Sequence, residues 1–182
     1  MIHIGSYEVV GSPVSTVVFS NIPQTFEHLQ VIGSIKTTRD YAGNVDDWNY
    51  CSFNGDGGIA SGGHYLSANG SSVYAGGPVS SSWIGSCISS SSFVSNIQYM
   101  FAPYVIDILD YSKTDKFKTY RSFYGFETGS LSYPYTNTVG TGVNVWRSTN
   151  AVTSITFSNF VQWAVGSRFD LYGIPVASET GV

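Results

Sequence analysis

Charge is what this sequence has least of. Of 182 residues, 8 are Lys or Arg and 12 are Asp or Glu, 11% in all, against roughly 25% in an ordinary soluble protein. The basic residues are scattered, except for Lys113, Lys116 and Lys118, so the clustered positive face that nucleic acid requires is missing. Such a surface has to be wetted by hydroxyls and amides, and it suits a protein that packs against neighbours, because few charges must be desolvated on contact. A Ser/Thr-rich β protein that is merely soluble would read the same way. Cysteine is nearly absent. Cys51 and Cys87 sit among Tyr50, Phe53, Ile84 and Ile88 with no Cys-x-x-Cys spacing, which reads as two buried thiols in a chain long enough to fold without a disulfide. Long apolar runs are absent too. No segment reaches the length of a membrane span, and the start MIHIGSYEVV lacks a basic n-region; the expectation is cytoplasmic synthesis without export by the usual signal and without membrane insertion.

The spacings that carry chemistry are also missing. The sequence holds no Gly-x-Ser-x-Gly elbow, no His-Glu-x-x-His, no phosphate loop and no dinucleotide fingerprint. Its three histidines, His3, His28 and His64, lie far apart in unlike contexts. Asp46, Asp47, Asn54 and Asp56 form one acidic cluster, the kind of hard-oxygen set calcium takes, but without the regular loop spacing. The reading preferred here is side chains that bond neighbouring backbone amides in turns. The expectation is therefore a non-enzyme with no catalytic, cofactor or metal residues.

What is present is β-strand pattern. Tyr104 to Phe126, YVIDILDYSKTDKFKTYRSFYGF, writes out two strands and their loop. If Tyr111 faces Phe117, then Asp110 faces Lys118 and Asp107 faces Arg121 in a single register, and a slip by one residue loses both pairs, each worth about 0.2–1 kcal/mol. Asp107 and Asp110, on opposite faces of one strand, cannot converge as a carboxylate pair for sugar hydrolysis.

Short strand-like runs recur along the rest of the chain: Tyr7 to Val10, Val14 to Phe19, His28 to Thr38, Trp48 to Phe53, Phe93 to Phe101, Val143 to Arg147, Thr153 to Phe157 and Arg168 to Ile174. In His28 to Thr38, Leu29, Val31, Gly33 and Ile35 point one way and His28, Gln30, Ser34 and Lys36 the other. Asn54-Gly55 is a strong turn signal. Pro103 is expected to break the chain between Phe101 and Tyr104. The Gly/Ser-rich region Gly57 to Ser92 has apolar islands at Tyr65-Leu66, Val73-Tyr74 and Trp83 to Ile88, read as short strands with long loops. No stretch of about ten residues or more carries a 3.6-residue period. The fold class is all-β, an antiparallel, jelly-roll-like β-sandwich with almost no helix. It is one domain over residues 1–182, with residues 1–12 as an attachment arm and 175–182 as a loose tail.

Aromatic residues in or beside loops, Trp48, Tyr65, Tyr74, Trp83, Tyr133, Tyr135 and Trp146, are the remaining lead. Such rings stack on sugars or anchor protein interfaces, and in a chain with 15% aromatics many of them belong to the core or to subunit contacts.

Several blocks together resemble a family of small structural proteins of tailed bacteriophages. They are Phe19 to Leu29 (FSNIPQTFEHL), Phe53 to Asp56, Ile106 to Tyr111 with Lys116 to Thr119, Trp146 to Thr149 through Ile155 to Phe157, and Gly166 to Phe169 with Leu171 to Ile174. The resemblance implies a virion component of tail, fibre or capsid-decoration type, assembled in the host cytoplasm. Its expected partners are copies of itself, a trimer among the options, and other virion proteins, with no catalytic residues to carry over. A carbohydrate- or receptor-binding module that takes a host surface glycan is the alternative, and it would need two or three rings coplanar on one exposed face.

Overall fold

The computed structural model describes residues 1–40, 45–56, 63–79, 82–92, 94–129 and 137–175. In chain order its strands are β1 (Ile2–Glu8), β2 (Val14–Phe19), β3 (His28–Thr37), β4 (Asp46–Phe53), β5 (Gly63–Ala68), β6 (Val73–Val79), β7 (Trp83–Ser89), β8 (Ala102–Ile108), β9 (Lys118–Phe126), β10 (Thr138–Trp146), β11 (Ile155–Trp163) and β12 (Arg168–Ile174). A 3-10 turn at Ile97–Tyr99 is the one helical element among the described residues. The protein is all-β.

Two sheets share one strand. The larger has the order β1-β12-β3-β8-β9-β10-β5-β6 and the smaller β2-β11-β4-β7. At its far end β3 crosses over: Lys36 and Thr37 run parallel to Ile88 and Ser89 of β7, and Thr37 also faces Trp163 of β11. The smaller sheet lies across the larger. Phe53 of β4 meets Tyr120 of β9 and Trp146 of β10 edge to face, Phe157 of β11 stacks on Phe169 of β12, and Trp83 of β7 meets Tyr124 of β9. Leu29, Val31, Ile106, Ile108 and Leu171 from one sheet and Cys51, Phe53, Ile155 and Phe157 from the other are buried between them. Each large side chain so buried contributes about 1.5–3 kcal/mol. Cys51 and Cys87 are free, buried thiols, and burial pushes both of them up in pKa.

The register read at the central hairpin forms: Asp107 stands opposite Arg121 and Ile108 opposite Tyr120. Arg121 Nε donates to Asp107 Oδ2 at 2.8 Å. The second pair does not form. Asp110 leaves the ladder with φ 51°, and its carboxylate takes Lys116 Nζ at 3.2 Å, while Lys118 turns inward, is buried, and donates to Lys116 O and Thr149 O at 2.9 and 3.1 Å. The reason is the period of two. Tyr120, Tyr124 and Phe126 all face the core, and Lys118 lies on their side of the strand.

Four other expectations are corrected. Residues 2–8 are not a free arm but strand β1, paired along β12 from Ile2↔Gly173 to Glu8↔Arg168; residues 176–182 of the expected tail lie outside the described residues. Pro103 does not break the chain: it sits inside β8 opposite Ser34, where the β9 ladder starts only at Tyr104 and Pro103 has no partner to lose on that side. From residue 94 on, the segment before it is no strand, because Asn96 at φ 63° leads into the 3-10 turn that buries Ile97; Phe93 lies outside the described residues. Lys36 does not point to solvent. It is buried under that turn, its ammonium 2.8 Å from Gln98 O and 4.5 Å over the ring of Phe101.

Candidate functional site

Two surfaces stand out, on opposite sides of the β5–β6 hairpin. Alternation along β5 sends Tyr65 and Ser67 toward β7 and His64 and Leu66 the other way.

The first is a cleft of about 280 Å³, between the outer face of β4 and β7 on one side and β5, β6 and β9 on the other. Asp46, Trp48 and Ser86 line one wall; Tyr65, Ser67, Tyr74, Tyr124 and Thr138 line the other, and Trp83 closes the gap. Trp83 is 8% exposed and Tyr124 5%, whereas Trp48 is 52% and Tyr74 39% exposed. The first two therefore form the floor and the latter two the mouth. The floor rings pack edge to face, Tyr65 on Trp83 at 4.9 Å and Trp83 on Tyr124 at 5.8 Å between centroids. Two glycines seat them. A Cβ on Gly76 would lie 2.6 Å from Tyr65, and one on Gly85, which also has φ +125°, would lie 2.3 Å from Tyr124. The Gly-rich middle of the sequence is thus where large rings lie flat on backbone.

Polar groups in the cleft are already oriented. Burial pushes the Asp46 carboxyl up to about 6, with the Ser86 hydroxyl and Arg39 holding it down and Asp47 adding to the rise. Tyr124 is raised by burial first and by Asp46 second, and bonds the Ser67 side chain. From the mouth, aromatic contact continues over the smaller sheet, where Trp48 and Tyr50 meet Phe160 at 6.3 and 5.2 Å.

The second surface is the outer face of β9, β10, β5 and β6. Phe123 (54% exposed), Val139 (64%), Val143 (49%), Leu66 (51%) and Val73 (72%) all face out. Register joins four of them into two rows, while Val143 stands in a third between Arg121 and His64. Val105, Phe123, Thr141, Leu66 and Ala75 stand side by side across five strands, and Gly125, Val139, Ala68 and Val73 make the next row. Neither row carries a charge, and at about 4.8 Å per strand the first is roughly 20 Å across. Asp107 and Arg121 border it.

The acidic cluster read from the sequence is not one site. Asp46 and Asp47 start β4 and Asn54 and Asp56 follow its end, so a six-residue stretch of strand separates the two pairs. Asp47 is buried and meets Arg39 at 3.5 Å; Asn54 Oδ1 accepts from Thr153 and Ser154, at a turn where Asn54 and Gly55 both have positive φ; Asp56 accepts from Trp146 Nε1 at 3.0 Å. A different trio, Glu27, His28 and Asp110, brings its donor atoms within 4.8 Å of one another. His28 Nδ1 there accepts from the Asp110 backbone N–H at 3.0 Å and Asp110 is held by Lys116, so this is a hydrogen-bonded corner of the fold.

Of the seven aromatics singled out in the sequence, four line the cleft: Trp48, Tyr65, Tyr74 and Trp83. Trp146 is buried, and Tyr133 and Tyr135 lie outside the described residues. Sequence reasoning passed over Tyr124, Ser67 and Ser86, because only the strand pairings bring β5, β7 and β9 to one place; the alternation of Tyr65 and Ser67 with His64 and Leu66 was the signal available. No family model, curated protein or solved structure matches this chain.

Proposed function

We propose that this chain is a non-enzymatic structural protein of the bacteriophage virion, packed as a homo-oligomer on the capsid or tail after assembly in the host cytoplasm. The observation that carries the reading is the outer face of β9, β10, β5 and β6, charged only at Arg121 on its border, with Phe123, Leu66, Val73, Val139 and Val143 exposed together. A monomer gains nothing from holding these side chains in water, and covering them with a second copy of the same face removes apolar area and desolvates no charge beyond the bordering Asp107–Arg121 pair. Asp107 and Arg121 at the border are placed to set the orientation of such a contact more than its strength. The low overall charge and the ordered blocks that resemble phage structural proteins support the same reading.

The test is imaging of purified particles of the encoding phage with an antibody raised against the chain. Many copies at one regular location on capsid or tail are expected. Particles free of the protein would contradict the reading.

A further inference from the structure

The cleft between β4–β7 and β5–β6 does not face the proposed subunit contact, since Tyr65 and Ser67 point into it while Leu66 points to the opposite side. It combines three features that core packing alone does not call for. Its floor of rings is held in place on glycine backbone. Its mouth is framed by exposed Trp48 and Tyr74. Short hydroxyl groups and one desolvated carboxylate face each other across it, Asp46 and Ser86 on one wall and Ser67 and Thr138 on the other.

We propose that this cleft binds one neutral pyranose ring, the terminal sugar of a glycan. Rings at the mouth suit the apolar C–H face of a sugar, and paired hydroxyl and carboxylate groups suit its hydroxyls, which both donate and accept. Size points the same way. Ligand pockets run from about 300 to 1,000 Å³, and a cleft of about 280 Å³ has room for one small ligand and not for a chain laid along a platform. The floor rings meet at 63° and 81°, so they enclose a ligand and do not form the coplanar platform that long polysaccharides need. Acidic sugars are disfavoured by Asp46. A simple organic cation would make use of the rings and the carboxylate but accept nothing from the hydroxyls of Ser67, Ser86 and Thr138.

The inference is independent of self-association and is tested separately. The full chain is titrated with the methyl glycosides of glucose, galactose, mannose and N-acetylglucosamine, and with tetramethylammonium as the cationic control, followed by tryptophan fluorescence and by the indole N–H resonances. The expected result is saturable one-site binding of at least one glycoside in the millimolar range, weakened roughly tenfold or more in both Trp48→Ala and Asp46→Asn. Trp48 is exposed, so Trp48→Ala keeps the fold, verified by an unchanged near-ultraviolet dichroism spectrum of the buried aromatics. No saturation by any glycoside, saturation unaffected by the two substitutions, or tighter binding of tetramethylammonium than of every glycoside would each overturn the proposal.

Discussion

Lys118 and Lys36 occupy positions where hydropathy alone would place an apolar side chain. Both are buried, both have their pKa lowered by desolvation, and both are satisfied by carbonyl oxygens of a loop: Lys116 O and Thr149 O for one, Gln98 O for the other. Each is a clasp that ties a connection to the sandwich. Lys118→Met keeps the volume but strands two carbonyls, and is expected to lower unfolding free energy by about 1–3 kcal/mol in urea titrations. Asp46 works through pH. Its folded-state value of about 6 lies above the ordinary 3.8, so the fold prefers the protonated form. As pH rises from about 4 to about 6 the unfolded chain ionises this group freely and the folded chain does not, so this group's contribution to stability falls with pH, by at most about 3 kcal/mol. Asp170 has the opposite sign: Arg168 holds its carboxyl below the ordinary value, so its contribution is lost in acid. Asp46→Asn removes the first effect alone. Its unfolding free energy, compared with the parent chain at pH 4 and pH 7, should gain on the parent over that interval; parallel curves would show that Asp46 titrates in the fold as it does in the unfolded chain.

At the level of elements, strand identity was legible where alternation was clean and hidden where it was not. Leu29, Val31 and Ile35 marked β3, and the paired charges fixed the register of β8 against β9 through Asp107 and Arg121. The central error came from treating opposite charge as the stronger signal at Asp110 and Lys118. Three inward aromatic rings on β9 bury more free energy than one partly solvated ion pair returns, and they set the face on which Lys118 lies. In β10 the same rule places Asn144 and Trp146 inside and Val139 and Val143 outside, the reverse of what side-chain hydropathy suggests for Asn144 and for both valines; Asn144 is accommodated by donating to Trp83 O at 2.9 Å. Of the first strand only Tyr7 and Glu8 were read as strand, because Ile2, His3, Ile4, Gly5 and Ser6 alternate poorly, although their backbone pairs with β12. Removing Met1 to Glu8 therefore uncovers the edge of β12. That truncation is expected to lower the melting temperature by several degrees or to drive aggregation; an unchanged melting temperature with a monodisperse product would restore residues 1–12 to the status of a detachable arm.

For the whole molecule, composition and fold converge on one feature. With few charges available, the chain spends Lys36, Lys118 and Asp47 inside and places Asp107, Arg121, Arg168 and Asp170 on the β12–β3–β8–β9 part of the larger sheet, which leaves the β9–β10–β5–β6 part uncharged apart from Arg121 and His64 at its border. The all-β class was readable from the spacing of short strands. The two surfaces were not, because each is assembled from strands distant in sequence: Phe123 with Val139 and Leu66 on one side, Asp46 with Tyr65 and Tyr124 on the other. The central claim is that the uncharged face is covered by sister subunits. Sedimentation velocity of the full chain against a Leu66→Lys, Phe123→Lys double variant tests it most directly. An oligomer for the parent and a folded monomer for the variant are predicted; a parent chain that sediments as a monomer at every concentration would contradict the account.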